Sequence, residues 1–339
     1  MKVAKVYGVK DLRLEETEKP RIERPGDVLV RPKYVGICGS DTHLYHGKNP
    51  LAILPRIMGH EIVGVVEETG KEVKGLAAGD HVVIDPITFC GKCYACRHNM
   101  PNVCESLLVF GVQADGGMRE WFTIPDKQVL KIDPSLPWEE AVLIEPFTIG
   151  ANATARGNVG IGDTVLVEGA GPIGISVLKL AKIKGAQVMV SDVVDEKLAY
   201  AKSQGADIVV NTAKTNLEEA VKSWTHGEGV NKVIDAACFG STLQAAFKVV
   251  SVAGTIVILS FSDEAVPIAP LPITKKQLTV VGSRLQTYQF ANVIRLMESG
   301  ALRGNGLVTH TFPFDDIQKA FDFIDGHPSE VKKALLQFY

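Results

Sequence analysis

Between residues 164 and 283, six short apolar runs recur: "TVLVEG" (164–169), "QVMVSD" (187–192), "DIVVN" (207–211), "KVIDAA" (232–237), "TIVILS" (255–260) and "LTVVGS" (278–283). Each is almost continuously apolar, as a strand must be when both faces of its sheet are covered. Helix-like stretches separate them. Strands alternating with helices predict a doubly wound, parallel α/β sheet. Residues 1 to about 147 have a different rhythm. "VLVRPKYVGIC" (28–38), "HEIVGVVEETG" (60–70) and "DHVVIDP" (80–86) are short runs broken by Gly and Pro, the pattern of a β-rich domain with irregular loops. The tail, 284–339, returns to mixed character and is expected to pack back on that domain. A chain of 339 residues is too long for one core. The expected division is therefore 1–147 with 284–339, and 148–283.

The first strand of the second region runs into "GAGPIG": Gly169, Ala170, Gly171, Pro172, Ile173 and Gly174. Glycines at this spacing are common, but here they follow a strand, open a helix and precede an acid, Asp192, at the end of the next strand. That context defines a dinucleotide fingerprint. Gly169 permits the tight turn and Gly171 leaves room for the pyrophosphate. Gly174 lets helix and strand approach, and Pro172 suits a first helical turn, where its missing N–H is no loss. The free N–H groups at the helix start face the phosphates. Asp192 suits ribose hydroxyls and repels a 2′-phosphate. Residues 193 and 194 are both Val, with Lys197 the nearest cation in sequence, so NAD is expected rather than NADP.

Four of the six cysteines fall within "CGKCYACRHNMPNVC": Cys90, Cys93, Cys96 and Cys104. The N-terminus lacks an apolar run of signal-peptide length, and the most apolar stretch, residues 249–261, falls short of the roughly 20 residues that span a bilayer. A cytoplasmic setting is expected, and it argues against disulfides. Four thiolates on short loops suit a closed, tetrahedral structural zinc. An iron–sulfur cluster is the rival, but there the last cysteine follows sooner and precedes proline, whereas Glu105 follows Cys104. A second set is scattered: Cys38 in "GICGSDTH", His60 and Glu61 in "GHE", and Glu145 in "LIEPF". Together, beside a cofactor domain, they suggest a catalytic zinc with three protein ligands and one open position. A net charge of −3 without basic runs argues against nucleic acid.

"CGSD-x-H", "GHE-x-x-G-x-V", the cysteine loop, "IEP" and "GAGPIG" occur in this order, and over its full length the chain resembles the zinc-dependent medium-chain alcohol and polyol dehydrogenases. The resemblance implies a GroES-like catalytic domain and a Rossmann coenzyme domain. It implies NAD, two zinc ions per subunit (one catalytic, one structural), a small-molecule substrate, no membrane, and a homodimer or homotetramer. Carried over, Cys38 and His60 look like catalytic zinc ligands, and Glu61 and Glu145 supply the acid ligation, with the choice between them open. Ser40 and His43 match a proton relay, and the alternative for His43 is a structural role. "LLVFGVQADGGM" (107–118), "LIEPFTIGANAT" (143–154), "VIDAAC" (233–238), "GSRL" (282–285) and "THTFPF" (309–314) are similar to the sugar-acid subgroup. That subgroup holds L-galactonate and L-gulonate 5-dehydrogenases and a starvation-sensing member. Trp121 and Arg119 depart from its pattern. Arg284 and Arg119 are candidate cations for a substrate carboxylate, with a surface or cofactor role as the alternative for each. The expected reaction is NAD-dependent oxidation of a secondary hydroxyl of a C6 sugar acid. A polyol dehydrogenase is the alternative enzyme, and a non-catalytic nucleotide sensor is the alternative class.

Overall fold

The computed structural model describes residues 1–339. Contacts divide it into two compact units, Met1–Glu145 with Phe290–Tyr339, and Pro146–Gln289. The division falls two and six residues from the expected boundaries. The first break lies near the start of the helix Ile144–Arg156, and residues 284–289 group with the second unit.

In the second unit the six strands are β1 (Thr164–Glu168), β2 (Gln187–Asp192), β3 (Ile208–Asn211), β4 (Val230–Asp235), β5 (Val250–Ile258) and β6 (Thr279–Gly282). They form one parallel sheet in the order β3-β2-β1-β4-β5-β6. The order reverses between β1 and β4, the position where doubly wound sheets bind ligands at their carboxyl ends. Leu166, Met189, Val233 and Ile256 are buried in the core beneath the helices. The apolar stretch 249–261 is the last residue of one helix, all of β5 and three residues beyond it, and no helix of the chain is long and apolar enough to cross a membrane.

The first unit is built on a seven-stranded sheet. Its central strand, Asp27–Ile37, is buried along most of its length and pairs antiparallel with Glu61–Thr69 on one side and Lys333–Gln337 on the other. The carboxyl-terminal strand is thus an interior member of the sheet. This register sets Gly36 opposite both Glu61 and Leu335. A Cβ on Gly36 would meet Glu61 Oε2 at 2.0 Å, so glycine is what leaves room for that carboxylate.

Candidate active site

Cys38 follows the central strand directly and caps the helix Gly39–Tyr45. His60 precedes the strand Glu61–Thr69, and Glu145 lies in the first turn of the helix Ile144–Arg156. The ligand atoms of Cys38, His60 and Glu61 lie within 4.8 Å of one another. Glu145 is buried just outside that set. Burial pushes its carboxyl up to about 8; His60 opposes the shift and Glu61 adds to it. Burial disfavours charge on His60, yet Asp41, Cys38 and Glu145 outweigh it and raise its pKa.

Two residues join this site that the sequence reading did not select. Asp41 is 1% exposed, accepts hydrogen bonds from the amides of Cys38 (2.9 Å) and Gly59 (3.2 Å), and lies 3.7 Å from His60 Nδ1. Lys333, from the carboxyl-terminal strand, donates to Glu61 Oε1 at 2.6 Å and Oε2 at 2.8 Å, and to the Ile37 carbonyl at 3.3 Å. Burial disfavours its charge, but Glu61 more than offsets this and raises its pKa. The "GSD" stretch offers a local hint of Asp41. Lys333 has none, being 272 residues from its partner.

These residues fit a zinc ion. The donor set is one thiol, one imidazole and buried carboxylates. His60 Nδ1 is buried without a hydrogen bond and faces the Asp41 carboxylate at 3.7 Å, as the second ring nitrogen of a metal-bound histidine commonly faces a carboxylate that orients the ring. Ser40 is half-buried and His43 exposed on the same short helix, and neither side chain is hydrogen-bonded within the protein.

The four loop cysteines also converge, with sulfur atoms within 4.8 Å of one another, and all six cysteines are free thiols. Amides point at the sulfurs: those of Lys92 and Cys93 reach Cys90, and that of Ser106 reaches Cys104. The amides of Cys96 and Glu105 draw the Cys93 thiol down to about 6, and the Lys92 and Cys93 amides lower Cys90. Such amides stabilise thiolates, the form that binds zinc.

The glycine loop likewise fits a dinucleotide. Gly169 has φ +95°, and a Cβ there would meet Ala237 N at 2.9 Å. A Cβ on Gly174 would meet Gly169 O at 1.8 Å, whereas Gly171 faces open space. Pro172 and Ile173 start the helix Pro172–Ile183, which Gly171 caps. Asp192 Oδ2 accepts from Ala170 N at 2.8 Å, and Oδ1 from Val193 N and Val194 N at 2.7 and 3.0 Å. Lys197 is half-buried just beyond. Arg284 lies 5.7 Å over the Phe261 ring.

Arg119 and Trp121 are committed within the first unit. The Arg119 guanidinium packs over Phe110 and Phe122 and donates to the Asp115 carbonyl, and burial lowers its pKa to about 10. Trp121 lies under the Lys19 ammonium, 4.5 Å from its ring centroid. Arg119 is thus half-buried and engaged by Phe110, Phe122 and the Asp115 carbonyl. Arg56 instead braces the turn before His60, bonding Asp115 at 3.0 Å while Asp115 also accepts from Ile57 N.

Residues 24–134 match the alcohol dehydrogenase GroES-like domain, and residues 172–299 match the zinc-binding dehydrogenase family. The starvation-sensing protein RspB of Escherichia coli K12 is 41% identical over 315 residues, covering 92% of each chain. The L-galactonate-5-dehydrogenase of the same strain is 32% identical over 317 residues, covering 93% of each. The crystal structure of an alcohol dehydrogenase (rspB) from E. coli CFT073, complexed with NADH, superposes with a TM-score of 0.95 at 38% identity, covering 100% of this chain and 99% of that one. With a GroES-like domain, a Rossmann sheet and both cysteine-bearing clusters in place, the chain belongs to the zinc-dependent medium-chain alcohol dehydrogenases, NAD-dependent oxidoreductases that act on a hydroxyl group.

Proposed function

We propose that this enzyme oxidises a secondary hydroxyl of a C6 sugar acid, L-gulonate or L-galactonate at C5, to D-fructuronate or D-tagaturonate. What carries the catalytic reading is the convergence of Cys38, His60 and Glu61 on one buried point. The substrate class is supported by the likeness to an L-galactonate-5-dehydrogenase. Cys38, His60 and Glu61 would hold the catalytic zinc, and Cys90, Cys93, Cys96 and Cys104 the structural one. A catalytic zinc supplies Lewis acidity that lowers the pKa of a bound alcohol, and NAD supplies the hydride acceptor.

The chain's own residues do the rest. Asp41 orients His60, and Lys333 holds Glu61 in place and offsets part of the anionic charge. Glu145, buried beside the set, is the second acid available to the metal. The Ser40 hydroxyl and the His43 imidazole, both uncommitted, carry the substrate proton outward. Gly169, Gly171, Pro172, Ile173 and Gly174 receive the pyrophosphate, and Asp192, with three amides on its carboxylate, keeps one acceptor site on Oδ2 for the ribose. Lys197 and Arg284 are the cations assigned to the cofactor side.

A polyol substrate is the second reading. The engagement of Arg119 within the protein removes one cation that a carboxylate would need, and a galactitol-1-phosphate dehydrogenase is among the structural neighbours, at 25% identity and a TM-score of 0.93. The deciding experiment follows NADH formation against L-gulonate, L-galactonate, D-mannonate, sorbitol and galactitol 1-phosphate, with and without a chelator. Chelator-sensitive turnover of an aldonate alone supports the sugar-acid reading. Turnover of neutral polyols alone replaces it, and silence with NADH still bound favours a sensor. We further propose a homodimer or homotetramer in the cytoplasm. Support comes from the half-exposed edge strand β6 with Val280 uncovered, and from six free thiols suited to a reducing compartment.

A further inference from the structure

The last residues of β1 and β4, Glu168 and Asp235, are register neighbours across the point where the sheet order reverses. Each is 1% exposed. Asp235 Oδ1 is fully used, accepting from Ala237 N, Cys238 N and Thr242 Oγ1. Its Oδ2, and Glu168 Oε2, are buried with no N–H or O–H donor, and neither acid has an ion pair. Two adjacent buried carboxylates cannot both ionise without a large cost, whereas one proton between them turns two orphaned acceptors into a donor and an acceptor.

We infer that Glu168 and Asp235 hold a single proton between them, and that this shared proton is a positioning element of the dinucleotide site. The inference rests on the NAD reading. Directly above the pair, the glycine turn is pressed against the turn after β4. Ala236 N donates to Glu168 O at 2.9 Å, and Ala237 N occupies the space where a Cβ on Gly169 would go. Losing the proton would set two like charges under that contact, splay the strand ends and add an anion beneath a ligand that already carries a pyrophosphate. Burial, reinforced by Asp235, pushes Glu168 up to about 9, which places the loss on the alkaline side. The other titratable groups nearby are Asp192 at the end of β2, occupied by three amides, and Cys238 in the turn after β4, pushed up to about 12 by burial. No lysine, arginine or histidine of β1, β2, β4, β5 or the helices Pro172–Ile183 and Gly240–Val249 forms an ion pair with either acid.

The test is the dissociation constant of NADH for the whole protein, measured by fluorescence titration at pH 8 and pH 10 and read as the ratio within each variant. Wild type should weaken roughly tenfold across that interval, the loss expected when binding favours the protonated pair. Glu168→Gln carries a permanent donor toward Asp235, so its ratio should stay near one whatever its absolute affinity. Asp235→Asn should flatten the profile in the same way, and it serves if the first variant folds poorly. An unchanged alkaline loss in both variants, or no loss in wild type, overturns the inference. Absence of NADH binding by wild type at pH 8 would instead overturn the cofactor reading itself.

Discussion

Lys333 is a buried cation placed among acids, and its loss would leave the buried Glu61 carboxylate unpaired. Removing one partner of a buried pair strands the other, at a cost of about 3–5 kcal/mol. Lys333→Met should therefore lower the denaturant-measured stability of the metal-free protein by about that amount. It should also weaken zinc binding roughly 10- to 100-fold, the usual effect of losing an outer-shell partner. Unchanged stability would mean that Glu61 is satisfied by something else. Cys38→Ala should abolish turnover and remove one zinc per chain by metal analysis, with NADH still bound; residual turnover near wild type would take zinc out of the reaction. Cys38, His60 and Glu61 were legible in the sequence because each sits in a short motif whose spacing carries the chemistry. Lys333 was not, because it reaches Glu61, 272 residues away, only through the antiparallel pairing of both their strands with the central strand Asp27–Ile37 between them. The packing of Arg119 was hidden for a related reason: Phe122 is only three residues on, but nothing in the sequence says that it and Phe110 will both lie against the guanidinium.

Among the elements, those read best from sequence were those whose constraints are local. The six apolar runs of the second unit are strands within a few residues of their expected limits, and the glycine turn lies between a strand and a helix. Gly174→Ala would force a Cβ to within 1.8 Å of the Gly169 carbonyl, so the turn must open. NADH affinity should fall at least tenfold while the zinc content of the purified protein stays unchanged; an unaltered affinity would show that the turn tolerates the shift. The cysteine loop is an element with little core of its own, its buried cluster consisting of Cys93, Ala95 and Cys104. Metal binding must then supply most of its folding energy. Cys96→Ala should lose one zinc per chain and lower the thermal midpoint by several degrees (about 2–4 °C per kcal/mol lost in a chain of this order). A midpoint equal to wild type would mean that the loop holds its shape unaided.

At the scale of the whole molecule, the two units answer to different ligands, and a chelator should separate them. Exhaustive chelation is expected to stop turnover yet leave NADH binding within about twofold, because no predicted zinc ligand lies in the second unit. Loss of both together would mean that the units do not behave independently. Val280→Lys on the edge strand should lower the subunit number seen by light scattering, since lysine on an edge opposes strand addition; an unchanged mass would move the interface elsewhere. The first unit is also discontinuous, its two stretches separated by the whole of the second. This has a consequence for synthesis on the ribosome. Cys38, His60, Glu61 and Glu145 emerge early, but the cation that neutralises Glu61 is translated only after the entire coenzyme domain. A nascent chain stalled between Glu145 and Lys333 carries the ligands of a metal centre without the counterion of Glu61 or the strand Lys333–Gln337 that pairs with the central one. The site is thereby finished only once Lys333 has been translated, and products truncated before it would hold Glu61 without its cation.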